Sequence, residues 1–333
     1  MSSSAVERAR GGDERAFEEL TAPHLRELHL HCYRMLGSID DADDFLQETL
    51  VAAWRGLPAF TGRSSPRSWL YRIATNRCLN AIRHSKRRPP AQPVPPFEPP
   101  EPSRRGDVTW LQPYPDAWLE QLPDAAPLPA ARLELRESVE LAFIAALQRL
   151  PPRQAAAVIL CDALGFSMAE AARMLDATPI AVKGALQRAR ATLALKREAA
   201  SDAPTPRSES ERQLAQRFAR SFTDGDIDGV VSLLSDGAWL AMPPARHEYV
   251  GPQAVASFLR ASVDWRRASR FQLVPTRANM QPAFGCYAYD AGTAHPAGMV
   301  VLGLTNGGIR TITRFLDGRL NSKFGLPDAP GER

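Results

Sequence analysis

The chain has 333 residues, 44% of them hydrophobic and 23% charged, a soluble globular composition long enough for two or three domains. Its formal net charge is only +4, so any basic surface must be local. The polar start (MSSSAVERARGGDERAF) has no apolar signal-peptide core, no apolar run is long enough to span a bilayer, and Cys32, Cys78, Cys161 and Cys286 lack metal-ligand or CxxC spacing. A cytoplasmic protein with free buried thiols and no metal or cofactor is expected.

The first unit, residues 5–88, reads as several helices. Phe17, Leu20, Leu25, Leu28 and Met35 recur at roughly helical spacing until Gly37-Ser38. Asp40 or Asp41 can cap the next helix, which should run to about Leu57. It carries the acidic run Asp40–Glu48 (DDADDFLQE). From Thr49 to Phe97 there is then no acidic residue, whereas Arg55, Arg63, Arg67, Arg72, Arg77, Arg83, Lys86, Arg87 and Arg88 recur. Ser65 and Pro66 suit the start of a helix that continues to about Lys86. On a helical wheel Leu70, Ile73, Ala74, Cys78 and Ala81 share an apolar face. Ser68, Arg72, Thr75, Asn76, Asn80 and Arg83 share a polar one.

Cations neutralise phosphates, aromatic rings such as Trp69 and Tyr71 stack on bases, and amides such as Asn76 and Asn80 read base edges. Ser64, Ser65, Arg67, Trp69, Tyr71, Arg72, Asn76, Asn80 and Arg83 are therefore candidate nucleic-acid contacts. The small residues of the 58–65 loop leave room for a flipped base. Asp41, Asp44, Gln47, Glu48 and Trp54 cannot face the same polyanion and point to a second, basic partner. Trp69 has an alternative use as packing beneath the preceding loop.

Residues 89–130 form a Pro-rich linker. Trp110, Tyr114 and Trp118 interrupt it, either docking on another domain or partner or clustering on neighbouring helices. Residues 131–199 are helical again, with a first helix over 133–150 and a second over 153–164. Ser167-Met168-Ala169-Glu170 is a capping box, Asp176-Ala177 a turn, and Thr178-Pro179 the start of a further helix. Val182, Ala185, Leu186, Ala189 and Leu193 form its buried stripe. This is the layout of a helix-turn-helix whose second helix enters the major groove. Ile180, Lys183, Gln187, Arg188 and Arg190 face outward to touch a thymine methyl, bases or phosphates, with Arg153 and Thr178 nearby. Gly184 costs up to about 1 kcal/mol against Ala inside a helix, and it allows close approach to DNA.

The third unit, residues 208–328, begins with a helix over 212–224 and a short helix over 230–234. Strands are then expected at 271–274, 285–289, 299–304 and 309–315, joined by turns such as Asn306-Gly307-Gly308. The expected fold is multidomain: two all-α domains and a C-terminal α+β domain.

Asp41-Ala42-Asp43-Asp44, Gln47-Glu48-Thr49, Ala53-Trp54-Arg55 and the run from Ser68 to Asn76 resemble region 2 of bacterial extracytoplasmic-function (ECF) sigma factors. Leu150-Pro151-Pro152-Arg153-Gln154 and the run from Ala181 to Arg190 resemble region 4. The resemblance covers roughly residues 14–196. It implies an RNA polymerase sigma factor with core polymerase (clamp helices and flap) and promoter DNA as partners. The acidic helix would bind the clamp helices, the loop and basic helix would recognise and melt the −10 element, and the helix-turn-helix would read the −35 element. The linker would thread toward the polymerase active-site channel. The long linker and third unit resemble a subgroup with a C-terminal SnoaL-like cone that regulates activity, with a small ligand or regulator left open as a partner.

Two other functions compete. One is a stand-alone helix-turn-helix regulator with a ligand-binding C-terminal domain, which leaves the acidic helix unexplained. The other is an enzyme using Asp224, His247, Glu248 and Asp290 as acid and base groups. Their spacing carries no catalytic signature, and no enzymatic activity is expected.

Overall fold

Gly37 adopts a left-handed φ of 74° and its N–H bonds to the Tyr33 carbonyl, ending α3 (Leu25–Leu36). Ser38, not Asp40 or Asp41, caps α4 (Ile39–Gly56) by accepting from the Asp41 amide, and the two aspartates occupy the first turn. Ser65 Oγ accepts the Ser68 amide at 3.1 Å, and Pro66 opens α5 (Pro66–Ser85). The computed structural model describes residues 2–62, 64–85, 97–106, 110–122, 137–197, 204–266, 270–290 and 292–330. Arg63, Lys86–Arg88, the ends of the linker, and the start of the helix expected from 133 lie outside the described residues.

The chain divides into two units, one of residues 1–89 and 118–196, the other of residues 90–117 and 197–333. In the first, α3, α4 and α5 bury Leu28, Cys32, Tyr33, Ile39, Ala42, Ala53, Leu70, Tyr71, Ala74 and Cys78. Beside them α1 (Ser2–Arg10) and α2 (Glu14–Thr21) cover Leu57 and Phe60, against which Trp69 also packs. His31 Nε2 meets Thr75 Oγ1 at 2.9 Å in this core. Burial, then the Arg34 charge, pushes the His31 pKa down to about 3, so the ring stays neutral. A hydrogen bond with the Cys32 thiol, then burial, raises the Cys78 thiol pKa. Cys161 is half-buried rather than buried, and all four cysteines are free.

The short helix α6 (Asp116–Leu119) sits at the division. Four further helices of the first unit lie among the described residues: α7 (Leu141–Gln148), α8 (Pro152–Val158), α9 (Met168–Met174) and α10 (Pro179–Arg197). α8 continues through a π turn, Ile159–Ala163. Among the described residues of the segment expected at 133–150, residue 137 and α7 are helical, and residues 138–140 between them are not. The two helical sets pack on each other. Arg34, 2% exposed, donates to the Ser138 carbonyl at 3.2 Å and to its hydroxyl at 2.7 Å. Gln148 donates to the Leu36 carbonyl at 3.4 Å, and the Tyr71 and Phe166 rings meet edge-on at 5.2 Å.

In the second unit α11 (Glu209–Asp224), α12 (Ile227–Val231) and α13 (Pro252–Arg266) pack on a seven-stranded sheet of order β1-β3-β2-β7-β6-β5-β4. The strands are β1 (Arg104–Arg105), β2 (Leu234–Ala241), β3 (His247–Val250), β4 (Phe271–Ala278), β5 (Gln281–Asp290), β6 (Thr293–Thr305) and β7 (Gly308–Phe315). Among the described residues, β2 and β7 are the one parallel pair. This is the expected α+β domain, but the short helix ends at Val231, Leu234 begins a strand, and β1, β2, β3 and α13 are additional.

The described linker residues 97–106 and 110–117 are part of this domain. Arg104 and Arg105 extend the sheet by pairing with Glu248 and His247. Tyr249 donates to the Pro100 carbonyl at 2.8 Å, and Phe97 packs on Phe258. Further on, Tyr114 exchanges backbone and side-chain hydrogen bonds with Asn279, at 2.9 and 2.7 Å. Asn279 and Met280 form the β4–β5 turn with φ of 57° and 59°, positive values that non-glycine residues rarely adopt. The Asp116 carboxylate accepts the Met280 amide at 2.7 Å and Arg277 at 3.1 Å. Tyr114 and Asp116 thus hold an otherwise unfavourable turn in place. Trp118 belongs to the first unit, where its ring meets His29 edge-on at 5.5 Å. Trp110 is 45% exposed. The aromatic segment therefore splits between docking on the C-terminal domain and packing on the N-terminal helices.

Candidate nucleic-acid interface

On α4 the exposed side chains are Asp40, Asp44, Gln47, Glu48, Val51 and Arg55. Spacings of three and four residues put them on one stripe. Val51 is 50% exposed among them. The sequence reading missed it, although it stands three residues after Glu48 and four after Gln47. Asp41 is half-buried, and Asp43 meets His29 at 3.1 Å. Trp54 does not join the stripe: it is half-buried and its ring meets Phe17 edge-on at 5.1 Å. Its part as a partner contact is corrected to one in packing α2 against α4.

On α5 the exposed side chains are Arg72, Asn76, Arg77, Asn80, Arg83 and His84. Ala52, Trp69, Arg72, Ile73, Asn76, Arg77 and Asn80 line an open cleft of about 490 Å³. Trp69 serves both of its expected uses. Its ring stacks on Phe60 at 4.6 Å beneath the loop, and it also contributes to the cleft wall. Arg77 reaches Glu48 at 3.7 Å, so an ion pair joins the acidic and the cationic helices. Both partners are about half exposed, which limits the pair to about 1 kcal/mol.

Two candidates are placed elsewhere. Tyr71 is fully buried and donates to Glu27 Oε2 at 3.2 Å, so its ring does not face a nucleic acid. Its hydroxyl pKa is raised by burial first and by Glu27 next. Arg67 donates to the same carboxylate at 3.1 Å and lies over the Tyr71 and Phe166 rings at 5.1 and 4.7 Å. Glu27 lies 40 residues upstream of Arg67. A stretch without acids in sequence has an acid beside it in space. Thr75, placed on the polar face of the wheel, is buried and bonded to His31. Asn76 is exposed but donates to the Met174 carbonyl at 3.4 Å. Ser64 and Ser65 are exposed in the loop.

In the second helical set Ser167 and Glu170 form both bonds of the capping box. Asp176 takes a positive φ of 49° in the turn. Thr178 Oγ1 accepts the Ala181 amide at 3.2 Å and starts α10. Val182, Leu186, Ala189 and Leu193 are buried, whereas Ala185 is half-buried. Ile180 is 83% exposed, and Lys183, Gln187, Arg188 and Arg190 lie on the same outward side. Arg190 is partly committed, gripping Asp162 with bonds of 3.0 and 2.6 Å. Arg153 is exposed in the first turn of α8. A Cβ on Gly184 would meet only the flexible tip of Arg188, at 3.4 Å, so packing alone does not require glycine there.

The four candidate acid/base residues do not converge. Asp224 ends α11, His247 and Glu248 lie on β3, and Asp290 ends β5. Three strands separate β3 from β5, roughly 19 Å at the usual strand spacing. Glu248 is moreover paired with Arg104. The interior between helices and sheet is filled by Phe218, Phe222, Leu240, Met242, Tyr249, Phe258, Phe284, Val300, Leu302 and Ile312.

Residues 20–88 match the Sigma-70 region 2 family and residues 140–193 the Sigma-70 region 4 family. The ECF RNA polymerase sigma factor SigG of Mycobacterium tuberculosis is 40% identical to the chain, over 95% of the chain and 86% of SigG. The chain belongs to the ECF RNA polymerase sigma factors. SigM of the same organism, another ECF sigma factor, is 34% identical over 55% of the chain and 78% of SigM. The crystal structure of the M. tuberculosis ECF sigma factor SigJ matches 95% of the chain and all of SigJ, with a TM-score of 0.57 and 21% identity, which extends the likeness of fold through the C-terminal domain. This sigma factor therefore acts with RNA polymerase in transcription initiation, not as a stand-alone regulator, and its non-enzymatic role follows from its family.

Proposed function

We propose that this sigma factor divides its work between adjacent faces of α4 and α5. Asp44, Gln47, Glu48 and Val51 meet a basic, partly apolar surface on core polymerase, in the position the clamp helices take in the family. Arg72, Asn76, Asn80 and Arg83, with the exposed part of Trp69, receive the opened −10 strand in the cleft. Lys183, Gln187, Arg188 and Ile180 on α10 read the −35 duplex, with Arg153 and Thr178 on the flanking phosphates and the flap beneath. It works in the cytoplasm, where the polymerase is.

The observation that carries this reading is the seam at Glu48 and Arg77, where an acidic and a cationic surface adjoin on neighbouring helices. A carboxylate stripe repels phosphates, and the cationic cleft attracts them, so one partner cannot satisfy both. The C-terminal domain regulates initiation by holding the linker through β1, Tyr114 and Asp116. The linker cannot be extended elsewhere while those bonds persist.

Run-off transcription with core polymerase tests the regulatory half. A chain ending near residue 200 should change the rate of initiation several-fold and leave the start site unchanged. A shift in promoter choice, or an unchanged rate, would rule out regulation by the C-terminal domain.

A further inference from the structure

Two arginines enter the same end of the C-terminal core from opposite layers. Arg266 comes from the last turn of α13, and Arg314 comes from β7. Arg314 is two residues from Ile312 and pairs with Val300, both of which belong to the core. Strand alternation therefore puts Arg314 on the helix-facing side of the sheet. Phe271 lies on the same side, two residues before the buried Leu273.

The Arg266 guanidinium lies over Phe271 at 4.6 Å and over Phe222 at 5.1 Å. Its one hydrogen bond among the described residues is from Nε to the Ser262 carbonyl, at 3.2 Å. Arg314 donates to the carbonyls of Met299, Phe315 and Ala297, at 3.0, 2.7 and 2.5 Å. Neither forms an ion pair with a carboxylate among the described residues. A guanidinium carries five N–H donors. Arg266 thus keeps four without a protein acceptor, and Arg314 keeps two. Burial, then the neighbouring Arg314 charge, lowers the Arg266 pKa.

Half-buried like charges with spare donors are costly unless a counter-charge joins them. Arginine forks suit the planar or tetrahedral oxygens of carboxylate and phosphate. We infer that the C-terminal domain binds a small oxyanion, a carboxylate or phosphate group, between Arg266 and Arg314. This site is separate from the promoter and polymerase surfaces and does not depend on how they are assigned.

Calorimetric titration of the full chain with inorganic phosphate, and separately with hexanoate, tests the site at constant ionic strength. Saturable binding of at least one is expected at millimolar concentration or tighter. The one that binds identifies the oxyanion chemistry, and hexanol serves as the uncharged control. In Arg266→Met the same titration should weaken at least tenfold. That variant should melt no lower than the parent in chloride buffer, because it loses a half-buried cation that has no carboxylate partner among the described residues, and the Met side chain can still pack on Phe222 and Phe271. The parent should gain melting temperature with the bound anion, and the variant should not. No saturable heat with either anion would overturn the proposal. So would equal responses in parent and variant, since phosphate stabilises proteins generally by exclusion from their surface.

Discussion

Replacing Asp44 and Glu48 together by Lys should weaken binding to core polymerase by about 1,000-fold, on the order of 4 kcal/mol. Both side chains are exposed, and among the described residues the one ion pair they make is Glu48–Arg77, so α4 itself should stay folded. Circular dichroism and melting temperature should therefore match the parent to within about 1 kcal/mol of stability. Binding is read by fluorescence anisotropy of the labelled sigma factor titrated with core enzyme. Unchanged affinity in the double variant would remove the acidic stripe from the polymerase interface.

Arg277→Met should release the linker from the C-terminal domain. Arg277 meets Glu211 at 2.5 Å and Asp116 at 3.1 Å, and the Glu211 side chain is only 3% exposed. Removing the cation leaves that carboxylate buried beside its backbone donor from Arg207. Breaking such a pair costs about 3–5 kcal/mol. Burial already raises the Asp116 pKa against the pull of the Met280 amide and Arg277, so losing Arg277 favours its protonation. The effect should be local: amide exchange at Asn279 and Met280, and proteolysis within residues 97–122, should accelerate by about 100-fold or more. Asp116→Asn, which keeps an acceptor for the Met280 amide, should show a smaller acceleration. Parent-like protection in Arg277→Met would mean that the linker is held by other contacts.

The elements that carried local signals were readable in the sequence. The capping box at Ser167 and Glu170, the Ser65 and Thr178 caps, the Gly37 break and the buried stripe of α10 all stand where short-range rules put them. Strands β4 to β7 were legible from their apolar, β-branched runs. β2 was not, because Asp236-Gly237 interrupts it and its strand state comes from pairing with β3 and β7. β1 has no local signature at all: Arg104 and Arg105 are extended because β3 offers an edge. The turn at Asn279-Met280 lacks glycine and rests on bonds from Tyr114 and Asp116, more than 160 residues away. The candidate interface divides in the same way. Helical spacing placed Arg72, Asn76, Asn80 and Arg83 outward, but Tyr71 and Arg67 depend on Glu27 and Phe166, which only the packed helices bring near them.

The separation of the polymerase and promoter surfaces is tested most directly by permanganate footprinting of the −10 thymines, using holoenzyme that carries Arg72→Ala and Asn80→Ala. Both positions are exposed in the cleft, apart from the acidic stripe of α4. The expected result is parent-like binding to core polymerase with the −10 reactivity lost. Full reactivity in this variant, or a matching loss of polymerase binding, would contradict the division of labour between α4 and α5.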